Sequence, residues 1–188
     1  MKAQDNKNEF QVATLAGGCF WCTEALFNRI KGVISVVPGY AGGKIENPSY
    51  EEVGSGDTGH AEAIQIILDP KTIPYEKLLE VFWHTHDPTT LNRQGADTGT
   101  QYRSVIFYHN QMQKNIALVS REKIKKEGLY QDPIVTEIVP FTNFYEAEEN
   151  HKRYYEKNHD YPYCAIVIDP KIQKLINKFG KEVKEEYK

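Results

Sequence analysis

Three thiols, a carboxylate on an apolar strand and a polar, tyrosine-bearing loop are the places where this sequence can do chemistry. The densest of them is Gly17-Gly18-Cys19-Phe20-Trp21-Cys22-Thr23-Glu24. Paired glycines permit a tight strand exit, and the amides that follow can point at a reacting anion. A thiol there gains reactivity: with a pKa of about 8.5 a cysteine is roughly 3% thiolate at pH 7, and with a pKa of about 6 it is roughly 90% ionised. The same two cysteines also fit small buried apolar residues, a thioredoxin-like couple or half of a metal site. The metal reading is short of ligands, because only Cys164 joins the pair and none of the six histidines stands in a compact zinc motif. Phe20-Trp21, between the cysteines, either fills the core or forms an aromatic surface that would receive a small apolar group such as a thioether methyl.

The carboxylate is Glu62, in Thr58-Gly59-His60-Ala61-Glu62-Ala63. Two-residue alternation puts it on one strand face with Ile64, Ile66 and Leu68. Partial burial there would raise its pKa and keep a proton available near neutrality, as protonation of a developing oxyanion requires. The alternative is an edge glutamate whose head reaches water or a base. The loop Leu91 to Arg103 adds Asp97, which can cap amides, Tyr102, whose hydroxyl can meet a reacting oxygen, and Arg103, which can pair on the strand.

Strands are expected at Gln11 to Ala16, Val33 to Val37, Ala61 to Leu68 and Arg103 to Tyr108, with helices at Thr23 to Ile30 and from Pro74. Cys19 then falls at a strand-to-helix turn. Pro38 to Ser55 reads as a long loop without regular structure, for which a binding surface is a reason. This order of elements is that of a two-layer α+β fold with a ferredoxin-like split βαβ core, both helices on one face of an antiparallel sheet. Added pieces are expected as a helix at Gln111 to Glu127, a strand at Ile134 to Val139, a helix at Glu146 to Asn158, a strand at Ala165 to Ile168 and a charged terminal helix. The run Phe179 to Lys188 reads as a solvated face or frayed tail.

At 188 residues the chain fits a single catalytic domain, with a polar lead over residues 1–10 and a charged extension over 171–188. A net charge of −3, with 23 basic residues spread among 26 acidic ones, leaves no basic footprint for nucleic acid. No apolar run has the length of a membrane span or signal peptide, so a reducing cytoplasm is expected, where at least one of three cysteines stays a free or cycling thiol.

Gly18-Cys19-Phe20-Trp21, Gly59-His60-Ala61-Glu62-Ala63 and Gly99-Thr100-Gln101-Tyr102-Arg103, in that order, resemble the peptide methionine sulfoxide reductase A family over roughly Val12 to Pro170. The resemblance implies that Cys19 attacks the sulfoxide sulfur and that Glu62 protonates the oxygen. It implies that Tyr50, in Asn47-Pro48-Ser49-Tyr50, and Tyr102 polarise that oxygen, that Phe20 and Trp21 wall the methyl group, and that Asp97 binds a substrate amide. The implied substrate is the S epimer at sulfur, free or in oxidised peptides and proteins. No metal or bound cofactor is implied, and the reductant is an external dithiol such as thioredoxin. The product on the enzyme is a Cys19 sulfenic acid that a second thiol condenses into a disulfide.

Cys22 stands where many members have glycine, and Tyr163-Cys164 resembles the site of a resolving thiol, so Cys164 and Cys22 compete for that role. Two cysteines three apart on a helix hold their Cβ atoms about 5 to 6 Å apart against the 3.5 to 4.5 Å of a disulfide, which favours Cys164. A general thiol-disulfide oxidoreductase using Cys19 and Cys22, and a noncatalytic peptide-binding module, are the other readings.

Overall fold

The computed structural model describes residues 10–188, so the polar lead, apart from Phe10, lies outside the described residues. In chain order the elements are β1 (Gln11–Gly17), α1 (Phe20–Asn28), β2 (Val33–Ala41), α2 (Tyr50–Gly54), β3 (Ala61–Leu68), α3 (Tyr75–Thr85), β4 (Arg93–Gln94), β5 (Asp97–Thr98), β6 (Ser104–Tyr108), α4 (Gln111–Lys126), β7 (Glu137–Pro140), β8 (Phe144–Glu146), α5 (Tyr154–Lys157) and α6 (Asp169–Phe179). Six strands form one sheet in the order β7-β6-β1-β3-β2-β8, and β4 with β5 makes a separate hairpin. The central four, β6-β1-β3-β2, are antiparallel throughout, as a split βαβ core requires. On the flanks β7 adds parallel to β6 and β8 antiparallel to β2.

One face of the sheet carries the large core. Ile64, Ile66 and Leu68 of β3 are fully buried there with Phe20 and Leu26 of α1 and Leu78, Leu79 and Phe82 of α3. A smaller cluster collects Ala16, Ala41, Ala61 and Ala63 with Val105 and Phe107, under Phe141 and Phe144. Among the described residues no helix is long and apolar enough to cross a membrane.

Among the added segments the helix expected at Gln111 to Glu127 forms as α4 and the strand expected at Ile134 to Val139 overlaps β7, while others depart from the sequence expectation. Residues 38–55 are partly regular: β2 runs on to Ala41, and α2 is started by a reciprocal capping box between Ser49 and Glu52. The helix expected over Glu146 to Asn158 is instead β8, a tight turn and the short α5, interrupted by Arg153 at φ +53°. Side-chain bonds to the site, described below, override helix propensity there. The strand expected at Ala165 to Ile168 is a π-helical turn feeding α6. Cys164, Ile168, Ile172, Leu175 and Phe179 are all buried at three- and four-residue spacing, a continuous helical stripe in which Pro170 tolerates a first-turn position. Val183, in the run expected to be a frayed tail, is fully buried and bridges Ile30, while Lys184 N donates to Arg29 O at 2.8 Å.

Candidate active site

Strand β1 leaves the sheet through Gly18, at φ +89°, and a Cβ there would lie 2.5 Å from the Gln94 side chain. Only glycine makes this turn without displacing the β4–β5 hairpin. Cys19 follows as the N-cap of α1 with φ −53° and ψ 124°, outside the helix, and its carbonyl accepts from Cys22 N and Thr23 N at 3.1 and 3.3 Å. The helix therefore starts three residues earlier than its apolar spacing implied. Its first amide is spoken for: Phe20 N donates to Glu62 Oε2 at 2.9 Å.

Glu62 sits across from Tyr40 in the β2–β3 ladder and is 3% exposed. Burial raises its carboxyl to about 8, the Phe20 amide opposes that rise, and the charges of Asp97 and Cys22 add to it. At pH 7 it is mainly a neutral acid beside Cys19.

All three cysteines are buried and unpaired. Burial, then the neighbouring Cys22 thiol and the charge of Glu62, push Cys19 up. The Cys19 thiol as hydrogen-bond donor leads in lowering Cys22 to about 6 against its burial, with Lys171 and Tyr163 assisting. Burial of so close a pair disfavours two negative charges, and the directions of the two shifts make Cys22 the more acidic member. Cys164 is raised by burial, and the thiol whose charge bears on it is Cys22. Electrostatically the sulfurs thus run in the order Cys19, Cys22, Cys164.

Hydroxyls converge on the same point. Tyr50 opens α2, anchored where its amide donates to Glu148 Oε1 at 2.9 Å, and Glu148 Oε2 takes the Tyr40 hydroxyl at 2.8 Å. Burial, then the charges of Glu62 and Cys19, push Tyr50 up to about 12. Tyr102, on a single 3₁₀ turn after β5, is also raised by burial and then by Glu62. Both remain protonated donors at neutral pH. Asp97, in the hairpin, accepts from Tyr163 at 3.0 Å, and the Tyr163 hydroxyl lies 3.8 Å from Cys22 Sγ.

The aromatic pair between the cysteines divides its work. Phe20 is fully buried and backs the site, packed on Tyr40, Tyr50 and His151. Trp21 is half-buried, stacks on Tyr154 at 3.7 Å and 7°, and donates Nε1–H to His151 Nδ1 at 3.2 Å. That bond makes Nδ1 the acceptor, so His151 is the neutral Nε2–H tautomer, in keeping with the downward push of burial on its pKa. The structure thus gathers Cys19, Cys22, Glu62, Tyr50, Tyr102, Phe20, Trp21 and Asp97 around the start of α1, while Cys164 lies fully buried in the main core. Tyr163, Glu148, His151 and Tyr154 escaped the sequence reading. The spacing Glu148-x-x-His151-x-x-Tyr154 was their signal, obscured by its fit to a helix.

Comparison with known proteins agrees with this geometry. The family model for peptide methionine sulfoxide reductase matches residues 11–184. A peptide methionine sulfoxide reductase MsrA of Sulfolobus acidocaldarius is 58% identical over 170 residues, 90% of this chain and 95% of its own. Among solved structures, reduced Mxr1 from Saccharomyces cerevisiae superposes with a TM-score of 0.76 at 35% identity, covering 85% of this chain and 94% of that one. Mxr1 in complex with Trx2 superposes with a TM-score of 0.54 at 26% identity, covering 82% and 89%. On motif order, fold and these relatives together, the chain belongs to the peptide methionine sulfoxide reductase family of the MsrA type, whose reaction is the reduction of methionine sulfoxide.

Proposed function

We propose that the chain reduces the S epimer at sulfur of free and protein-bound methionine sulfoxide, with Cys19 as nucleophile, Glu62 as acid and thioredoxin as the dithiol that resets it. The neutral Glu62 carboxyl, fixed on the Phe20 amide next to Cys19, is the observation that carries this reading. Tyr50, Tyr102 and Glu62 donate to the sulfoxide oxygen while Trp21, backed by Phe20, receives the methyl group and Asp97 takes a substrate amide. The Cys19 sulfur bonds to the sulfoxide sulfur as its proton passes to the Cys22 thiolate and the Glu62 proton passes to the oxygen. The sulfur–oxygen bond and the new sulfur–sulfur bond of this hydroxylated adduct then both break as the hydroxyl passes to the Cys19 sulfur and methionine leaves with the electron pair, so a Cys19 sulfenic acid remains, oxidised by the two electrons the sulfoxide gains. A thiol then displaces water to form a disulfide, which an external dithiol reduces. No group other than these side chains takes part in this scheme.

Cys22 is the first thiol to condense and Cys164 the second, an order that differs from the sequence expectation because Cys19 lies outside the helix. Thioredoxin as reductant is supported by the yeast relative's structure in complex with Trx2. The scheme fits a reducing compartment such as the cytoplasm, in which three thiols stay reduced between turnovers.

Incubation of the reduced protein with each dabsylated methionine sulfoxide epimer tests the reading. Methionine is expected from the S form alone, in about one equivalent per enzyme without reductant and continuously with thioredoxin. No product from either epimer, together with rapid reduction of insulin disulfides, would assign general disulfide exchange instead.

A further inference from the structure

Glu24, the last residue of the Gly17 to Glu24 motif, has no part in the scheme above, yet it is 1% exposed. Its carboxylate faces away from the thiols, across α1, toward α5. Both oxygens accept from Arg153 N, Oε1 at 2.8 Å and Oε2 at 2.9 Å, and the Tyr154 amide also points to it. Arg153 is held there at φ +53°, a conformation that costs a non-glycine residue of order 1 kcal/mol and persists only where the surroundings impose it. The next residue is Tyr154, whose ring lies flat on the Trp21 indole at 3.7 Å and 7°. Two residues before Arg153, His151 takes the indole N–H. One carboxylate on α1 therefore fixes the short segment that grips Trp21 from its face and its edge. The charged groups facing Glu24 are Glu156, whose charge repels it and which pairs with Arg29 at 3.6 Å, and the Arg153 side chain.

We propose that Glu24 is a positioning residue for substrate binding, which clamps the turn at Arg153 so that Tyr154 holds the Trp21 indole in the orientation that receives the S-methyl group. This rests on Trp21 being the wall of the methyl site, as proposed above. A buried carboxyl committed to two backbone amides is otherwise a costly way to start a four-residue helix. Tyr154 stacked on Trp21 adds an aromatic contact worth more than its area alone, and ordering the indole in advance spares that cost when substrate binds.

The test separates binding from chemistry. Burial raises the Glu24 carboxyl to about 7, so near neutrality it is partly neutral, but Glu24→Gln replaces one of its two accepting oxygens with an NH2 that meets the Arg153 amide donor to donor, and is expected to raise KM for methionine sulfoxide by about 5- to 20-fold while the single-turnover rate at saturating substrate stays within about twofold. Tyr154→Ala should give the same KM effect, Tyr154→Phe should keep the parent value, and the Glu24→Gln/Tyr154→Ala double variant should be no worse than Tyr154→Ala alone, because both act through one contact. Multiplying effects in the double variant, or a lost single-turnover rate at unchanged KM in Glu24→Gln, would overturn the assignment. Should Glu24→Gln fail to fold, Tyr154→Ala decides: a raised KM supports the clamp, an unchanged one overturns it. Trp21→Ala distinguishes the two levels of the argument. A raised KM there with none in Tyr154→Ala removes the clamp alone, and no change in Trp21→Ala removes the methyl wall and the clamp with it.

Discussion

Glu62→Gln is expected to slow methionine release in a single turnover by about 10- to 1000-fold, with substrate binding nearly unchanged. The amide keeps the shape of the carboxyl and can still accept from Phe20 N, so the 2.9 Å bond that ties β3 to α1 survives. What is lost is the proton, which burial retains to a pH of about 8. The parent's first half-reaction should therefore fall as pH rises through about 8, where Glu62 ionises, and fall as pH drops below about 6, where the Cys22 thiolate that accepts the Cys19 proton is itself protonated. In the variant the alkaline limb should vanish and the acid limb remain. A variant within twofold of the parent across this range would leave Glu62 a structural carboxylate.

The same substitution has a consequence for stability with the opposite sign to its effect on rate. A glutamate that ionises near 4.5 in the unfolded chain and near 8 in the folded one binds more protons folded than unfolded between those values. Stability is then lost as pH rises from about 4.5 to 8, and the loss is complete above that window. Glu62→Gln escapes this loss, so thermal unfolding at pH 8 to 9 should show the variant more stable by up to about 5 kcal/mol, with near parity at pH 4.5. Lower stability of the variant at pH 9 would mean that Glu62 is not held neutral by burial.

Much of this site was legible because its chemistry sits on regular elements. Glu62 followed from strand alternation, since Ile64, Ile66 and Leu68 on the same face are each fully buried and draw the carboxylate in with them. Cys19 followed from the glycines that end β1. The segment after β8 was illegible for a physical reason: Glu148, His151 and Tyr154 recur at three-residue spacing and mimic a helical face, but each is fixed by a partner distant in sequence, respectively Tyr50, Trp21 and Trp21. Tertiary bonds decide such a turn, and local propensity does not encode them. The stretch from Cys164 to Phe179 failed differently. Ile166 and Val167 favour a strand in isolation, yet Ile166 is 73% exposed while Cys164 and Ile168 are fully buried, a four-residue rhythm visible only once Asp169-Pro170 is read as a first helical turn and not as a stop.

Cys22→Ser is expected to lose sustained thioredoxin-dependent turnover by about 10- to 100-fold while still releasing about one methionine per enzyme. The reasoning turns on where α1 begins. Were Cys19 and Cys22 both within the helix, their Cβ atoms would stand too far apart for a disulfide, which favoured Cys164 as the first partner. With Cys19 at ψ 124° as the N-cap, that restriction is gone. The thiol beside it is already the more acidic one, lowered to about 6 chiefly by the Cys19 thiol as hydrogen-bond donor and also by the charge of Lys171. Cys164 is fully buried and its thiol is pushed up, with Cys22 the sulfur whose charge bears on it, so the expected sequence is that Cys164 takes over the disulfide from Cys22. One pulse of sulfoxide followed by peptide mass spectrometry should show Cys22 linked to Cys164 in the parent, Cys19 linked to Cys22 in Cys164→Ser, and an unlinked Cys19 sulfenic acid, trapped by dimedone, in Cys22→Ser. Passing the disulfide to Cys164 also frees Cys19, and because Cys164 is fully buried the turn at Tyr161–Cys164 is expected to lift before a partner thiol reaches it. A parent linked through Cys19 and Cys164, with normal turnover in Cys22→Ser, would restore Cys164 as the direct resolver and remove Cys22 from both resolution and proton transfer.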